Sequence, residues 1–262
     1  MSPAHVKQNI KILYKQAEKL RDQGVYFQAV ELFQKLLPLY KIEKDDFKYG
    51  RSLLQIGLCY RMANKNNKAQ VALKKAVKYF AKRKNMDRIG YTYRELGTVY
   101  LNMNEFNIAK KWYHKSAEIL KSTNDRDNYG MSLARLGLAE MHLANYVQAE
   151  KLMLQGLKLI ESDDHWFFEV TTLFFLGKLN FFRRKYLQSI EYLEKAEEVL
   201  NHHKQTQINT RRYGQIWGFL AYNHLRLKNI ELAKGYYLNA LRHLFCMPQS
   251  VAAPIYDTIQ AK

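Results

Sequence analysis

Apolar and small residues follow helical spacing along almost the whole chain, and the pattern restarts every 40 positions. In residues 91–120, Tyr93, Leu96, Gly97 and Tyr100 fall at i, i+3, i+4 and i+7. Polar residues 102–104 interrupt the run, and Ile108, Ala109, Trp112, Tyr113 and Ser116 resume it. The two-residue alternation of half-buried strands is absent. Small residues keep the period: Ala17, Gly57, Gly97, Gly137 and Gly177 are 40 apart, and Ala221 follows after 44. Ala29, Ala69, Ala109, Ala149, Ser189 and Ala233 run in step with them. Such self-similarity predicts stacked units, each burying its apolar face only against its neighbours. The expected fold is all-α, with about six antiparallel helix pairs at roughly 10–49, 50–89, 90–129, 130–169, 170–210 and 211–245. These form one continuous array over 1–245, followed by a C-terminal tail or cap at 246–262.

Turns and caps fit this division. Turns inside the units are expected at Gly24, 64–67, 102–104, Ala144-Asn145, Arg184-Lys185 and Lys228-Asn229. Between units, Asp45-Asp46, Asn85, residues 122–125, residues 162–164 and Thr206 are suited to capping the next helix. The prolines stand at 3, 38, 248 and 254, so only Pro38 is expected to kink a helix or end it early. The tail, broken by Pro248 and Pro254, reads equally as a free end, a cap or a segment lying in its own groove.

Tyr93, Leu96, Gly97, Tyr100, Ala109 and Tyr113 resemble the tetratricopeptide (TPR) pattern of aromatic, Leu-Gly, Tyr, then Ala and Phe. Leu53, Ile56, Gly57, Tyr60, Ala69 and Leu73 match almost as well. Copies four and five keep Leu136-Gly137 and Leu176-Gly177, whereas the terminal copies are weaker. The resemblance covers nearly the whole chain. It implies a right-handed solenoid in which Gly or Ala meets Ala where the two helices cross, as with Gly97 against Ala109. The 40-residue period resembles the longer variety found in bacterial regulators that sense peptides or partner proteins, and in eukaryotic polarity and motor adaptors. The chaperone-tail branch of the family is not matched. Tyr14, Glu18, Gln55, Tyr91 and Glu95 stand where its two-carboxylate clamp needs Lys, Asn and Arg.

Composition narrows the function. No HExxH, GxSxG, GxGxxG or GxxxxGK[ST] motif occurs, and the eight histidines are scattered, so no catalytic group, cofactor or metal is expected. Cys59 and Cys246 have neither disulfide-framework nor zinc-site spacing, which fits a reducing compartment. Without a secretory apolar run or a transmembrane stretch, a cytoplasmic protein is expected.

Charge is uneven. Residues 50–88 hold 11 Lys and Arg against 1 Asp, +10 of the net +18. Lys68, Lys74, Lys75, Lys78, Lys82, Arg83, Lys84 and Arg88 form either a solvated face or an electrostatic patch for an acidic partner. The fifth unit carries more phenylalanine than its helix pair requires. In TPR proteins the first helices line the concave surface. By that frame Leu138, Met141, Phe174, Phe181, Tyr222 and Leu225 form an aromatic and apolar end, and Arg51, Arg61 and Arg94 belong to a basic end. Contiguous aromatics of this kind mark an interface, or lie under the superhelix or the tail. The expected function is a non-enzymatic interaction module holding a peptide or helix of a protein partner that carries an acidic and apolar segment. The alternative is a nucleic-acid-associated or transcription-regulatory protein using the basic second repeat.

Overall fold

The computed structural model describes residues 3–160, 165–203 and 207–244, with side chains placed at 8–160, 165–203 and 212–241. The caps expected at 162–164 and Thr206, and the tail 246–262, lie outside the described residues. Twelve α-helices are found among the described residues, and they pack in sequence order as TPR-like pairs. The chain divides into two compact units, Met1–Leu143 and Ala144–Lys262. The first holds α1 (Pro3–Asp22), α2 (Tyr26–Ile42), α3 (Asp46–Met62), α4 (Asn66–Lys82), α5 (Met86–Asn102), α6 (Phe106–Lys121) and α7 (Arg126–His142). The second holds α8 (Tyr146–Leu159), α9 (Trp166–Phe182), α10 (Tyr186–His202), α11 (Gln207–Arg226) and α12 (Ile230–Leu244). Within each unit, every helix packs on the one before it.

The helix ends follow from local chemistry. Tight turns at Gly24, Asn64, Asn104, Arg184 and Lys228 have left-handed backbone, with φ between 56° and 80°. The residue after each returns its N–H to a carbonyl five positions back, as from Lys65 to Tyr60 and from Lys185 to Asn180. This closure satisfies helix-end carbonyls and reverses the chain. At the starts of α3, α5 and α7 the carboxylate or amide oxygens of Asp45, Asn85 and Asp125 accept the N–H groups of Lys48, Arg88 and Asn128. Pro38 does not end its helix, since α2 runs on to Ile42. Its fixed φ suits the α conformation, and Leu36 and Tyr40 on either side are buried in the core.

The periodic small residues mark where paired helices touch. A Cβ built on Gly57 would lie 2.6 Å from Leu73, one on Gly97 2.6 Å from the Tyr113 ring, and one on Gly177 2.7 Å from Leu193. An added Cβ at Gly97 would meet the Tyr113 ring first, and Ala109, one turn earlier on the same helix, is fully buried. The glycines seven residues earlier repeat the arrangement, Gly50 under Phe80 and Gly90 under Leu120. The α3–α4 and α5–α6 pairs are thus locked at two levels, two turns apart.

Ser189 replaces alanine for a visible reason. Its Oγ donates to the Gly177 carbonyl at 2.8 Å and accepts the Asn223 amide at 2.9 Å, tying three helices together. Ser116 does the same in the first unit, donating to the Gly90 carbonyl at 2.7 Å and lying 2.8 Å from Ser132.

Gly97→Ala is expected to destabilise by about 1–3 kcal/mol, since its methyl overlaps the packed Tyr113 ring. Gly235, inside α12 with nothing within 4 Å of an added Cβ, is the control. There alanine should gain roughly 0.5–1 kcal/mol through lower backbone entropy in the unfolded chain. Thermal or urea unfolding of both variants checks the pair, and equal shifts would contradict the crossing geometry.

Candidate functional site

The second unit carries an aromatic floor built on two helices. On α9, Phe174, Lys178 and Phe181 stand four and three residues apart, and on α11 Arg212, Gln215, Phe219 and Tyr222 stand three, four and three apart. Both spacings put their residues on one helical face. Phe219 is the hub, with its ring centroid 5.6 Å edge-on from both Phe174 and Phe181. Phe181 also meets Tyr222 at 6.0 Å and Tyr186 at 5.9 Å. Tilted and edge-on ring pairs like these contribute about 0.5–1.5 kcal/mol each beyond area burial.

Exposure ranks the predicted residues. Phe174 is only 5% exposed and forms the underside of the floor. Phe181, Tyr222, Leu225 and Phe219 are half-buried and present the accessible surface. Phe182, beside them in sequence, is exposed. Leu138 and Met141 are buried side chains of α7 in the first unit.

Four residues of the floor are absent from the sequence expectation: Phe219, Lys178, Arg212 and Gln215. The Arg212 guanidinium carbon lies 5.1 Å from the Phe174 centroid and 5.2 Å from that of Phe167, and its nitrogens donate to Gln215 and Thr171. Lys178 Nζ lies 5.8 Å from the Phe219 centroid. Burial lowers the Lys178 pKa, and the neighbouring Arg212 charge lowers it further. A signal existed in the sequence, because Lys178 is the single charge between Glu169 and Arg183 in an otherwise apolar run.

The predicted basic end of the first unit is largely matched from within. Arg51 lies 3.8 Å from Glu18 and over the Tyr14 ring at 4.9 Å. Arg61 lies 3.1 Å from Glu95. Arg94, 3% exposed, donates to the Asn128 carbonyl at 3.3 Å and sits over the Tyr91 ring at 4.9 Å. Burial lowers its pKa, while Glu95 acts in the opposite sense. Arg21 donates to Gln55 in the same way. These contacts join residues 33 or 34 apart, one first helix to the next, so the side chains form a polar ladder that fastens consecutive repeats.

The basic stretch of the second repeat is open to solvent. Lys68, Lys74, Lys75, Lys78, Lys82, Arg83 and Lys84 are exposed and Arg88 is half-buried, whereas Ala69, Leu73 and Ala76 on the opposite face are buried. Only Lys82 meets a carboxylate, Asp46, at 3.7 Å with both groups exposed. Arg83 helps to line an open cleft of about 490 Å³ with Glu43, Lys44, Asp45 and Phe47, where charges of both signs alternate.

Among the described residues no group of three His, Cys, Asp or Glu side chains is arranged to hold a metal, and no helix is long and apolar enough to cross a membrane. Cys59 is buried, and burial pushes its thiol up to about 11, which leaves it protonated and unreactive at neutral pH.

The depressed Lys178 pKa carries a sign. Between its folded value and the unfolded value near 10.4, the unfolded chain binds more protons, so wild-type stability gains from this group as pH rises. Lys178→Met removes that dependence. The variant is expected to melt above wild type at pH 7, with the gap closing as pH approaches about 10.4. Thermal melts of both proteins from pH 7 to 10.5 test this, and a variant melting lower throughout contradicts it.

The fold has counterparts among solved structures, each at an identity that speaks for the fold alone. Apo RapI is 14% identical, with 91% of this chain and 100% of that chain covered and a TM-score of 0.66. Aspartyl phosphate phosphatase F from Bacillus subtilis is 13% identical, covering 91% of this chain and 71% of that one, with a TM-score of 0.69. A Rap protein complexed with competence and sporulation factor is 12% identical, covering 89% and 74%, with a TM-score of 0.66. A comparison with curated protein sequences gave no match. The family model for SNAP, soluble NSF attachment protein, matches residues 6–154, more than half of the chain. With its twelve TPR-like helices, the chain belongs to the SNAP family.

Proposed function

We propose that this protein is a non-enzymatic interaction module that anchors a peptide or helical segment of a protein partner on the aromatic floor of α9 and α11. The single observation that carries this reading is the half-buried set Phe181, Phe219 and Tyr222, resting on buried Phe174. These rings are held by mutual edge contacts and present a preformed apolar surface. A rigid surface loses little entropy when a ligand is ordered on it, which favours affinity. The Rap protein complexed with competence and sporulation factor supplies a precedent for a holding role on this fold. The partner segment combines apolar side chains for the rings with acidic ones for the excess positive charge.

In this reading the lysines of α4 work at a distance. Exposed lysines are screened and individually weak, so they act on encounter and on salt sensitivity rather than on residence time. A second reading rests on the same exposed row: α4 tracks the phosphates of a nucleic acid. The two differ in salt response, since phosphate binding loses affinity steeply with salt and aromatic anchoring does not.

The test begins with a partner captured from native lysate at moderate salt, identified, purified and measured by surface plasmon resonance. Phe181→Ala should speed dissociation, with a loss of at least about 2 kcal/mol if it is an anchor. Lys75→Glu/Lys78→Glu should instead slow association at low salt and leave dissociation nearly unchanged. Normal binding by the Phe181 variant, together with loss of binding by the lysine variant even at high salt, overturns the reading.

A further inference from the structure

The aromatic floor contains a cation that the repeat frame does not need and that no described carboxylate neutralises. Among the described residues Lys178 has no hydrogen bond and no ion pair; its neighbours there are the Phe219 ring and the like charge of Arg212. Lys178 is half-buried among rings, where an apolar side chain would pack as well, and its ammonium has no counter-ion among the described residues. The repeat frame does not demand it either. Positions 18, 58, 98 and 138, at the 40-residue period, hold Glu, Leu, Thr and Leu. A cation that the architecture does not require, set without a counter-ion among half-buried rings, points to a ligand.

The surroundings state what that ligand contains. Lys178 stands one turn from Phe174 and one turn from Phe181 on α9, so any group reaching its ammonium passes over rings. The Arg212 guanidinium, stacked between Phe167 and Phe174, adds a second positive charge to the same patch. An anion held here therefore comes with apolar neighbours that cover Phe181, Phe219 and Tyr222. A negative charge brought to this half-buried place is screened less than at the exposed lysines of α4.

We infer that Lys178 is the specificity-determining residue of the floor, reading a carboxylate that a partner peptide carries within a few residues of a bulky apolar anchor. This rests on the proposal that the floor anchors a peptide. It moves recognition of the acidic group from the basic second repeat to the anchoring site itself. The α4 lysines then contribute attraction without selectivity.

A random 12-residue peptide display library panned on the intact protein provides the test. Selected peptides are synthesised, and their affinities are measured by fluorescence anisotropy against wild type, Phe181→Ala, Lys178→Met and Lys178→Gln, with circular dichroism confirming that each variant is folded. Peptides whose binding needs Phe181 should carry Asp or Glu close to Phe, Leu or Trp. Exchanging that acid for its amide should weaken binding to wild type about 10- to 100-fold and binding to either Lys178 variant several-fold less than that. If the exchange weakens binding equally in wild type and the Lys178 variants, or if Phe181-dependent peptides show no acidic preference, the inference is overturned while the peptide-anchoring reading stands. If no selected peptide depends on Phe181, both fall.

Discussion

Everything in this structure depends on how closely the two helices of a repeat approach each other. Gly57, Gly97 and Gly177 each leave room for a large side chain of the partner helix, and a single methyl at any of them would intrude to within about 2.7 Å. Close approach lets Leu73, Tyr113 and Leu193 be fully buried inside a two-helix unit that is otherwise too thin to hide them. The glycines seven residues earlier, Gly50 and Gly90, fix the same crossing a second time, so the pair cannot pivot. A repeat protein has no central core to correct errors in its units, since each unit packs only on its neighbours. Rigidity must be built into each pair, and here it is supplied by the absence of side chains.

With the pairs fixed, polar side chains on the first helices set how one repeat follows another. The contacts of Arg21 with Gln55, Arg51 with Glu18, Arg61 with Glu95 and Arg94 with the Asn128 carbonyl use up charges that the sequence offered as a basic docking surface. Breaking one partner of such a half-buried pair leaves the other desolvated and unmatched, which makes the ladder a structural element. It also explains why the chaperone-tail clamp has no counterpart here. Glu18, Gln55 and Glu95 stand at its positions because their partners are the chain's own arginines. Among the described residues, the solvated row of the second repeat and Lys178 are cations that this ladder does not engage.

What the sequence made legible follows from the range of the interactions concerned. Caps at Asp45, Asn85 and Asp125, reversals at Asn64, Asn104 and Arg184, and the pairing of helices around periodic glycines are set within some twenty residues, and they were readable from spacing alone. The direct seating of the Tyr113 ring over Gly97 was not, because it depends on the rotation of α6 about its axis rather than on the period. Pro38 does not end α2 because only one backbone bond is lost there, while Leu36 and Tyr40 beside it stay buried in the core. The fate of Arg51, Arg61 and Arg94 was hidden for a different reason. Their partners lie a full repeat away, at offsets that period and composition do not encode. For Phe174, Phe181 and Tyr222 the helical face was legible, but the burial of Phe174 and the hub role of Phe219 needed the packing of α11 on α9.

The division between ladder and floor gives a physical reason for placing a binding surface on the fifth and sixth repeats. In the first unit the first-helix positions are committed to joining repeats by polar contacts, and replacing any of them disturbs a neighbour. In α9 and α11 the joining is done by rings, together with the buried bond from Asn223 to Ser189, which tolerates change around it because it lies beneath the surface. Ring packing has no strict donor and acceptor geometry, so one edge of Phe181 or Tyr222 can face a ligand while the other still holds the scaffold. A cation inserted among such rings keeps partial compensation from their faces, worth about 0.5–2 kcal/mol, even before an anion arrives. That compensation helps to hold Lys178 among the rings, poised for a carboxylate that the described residues do not provide.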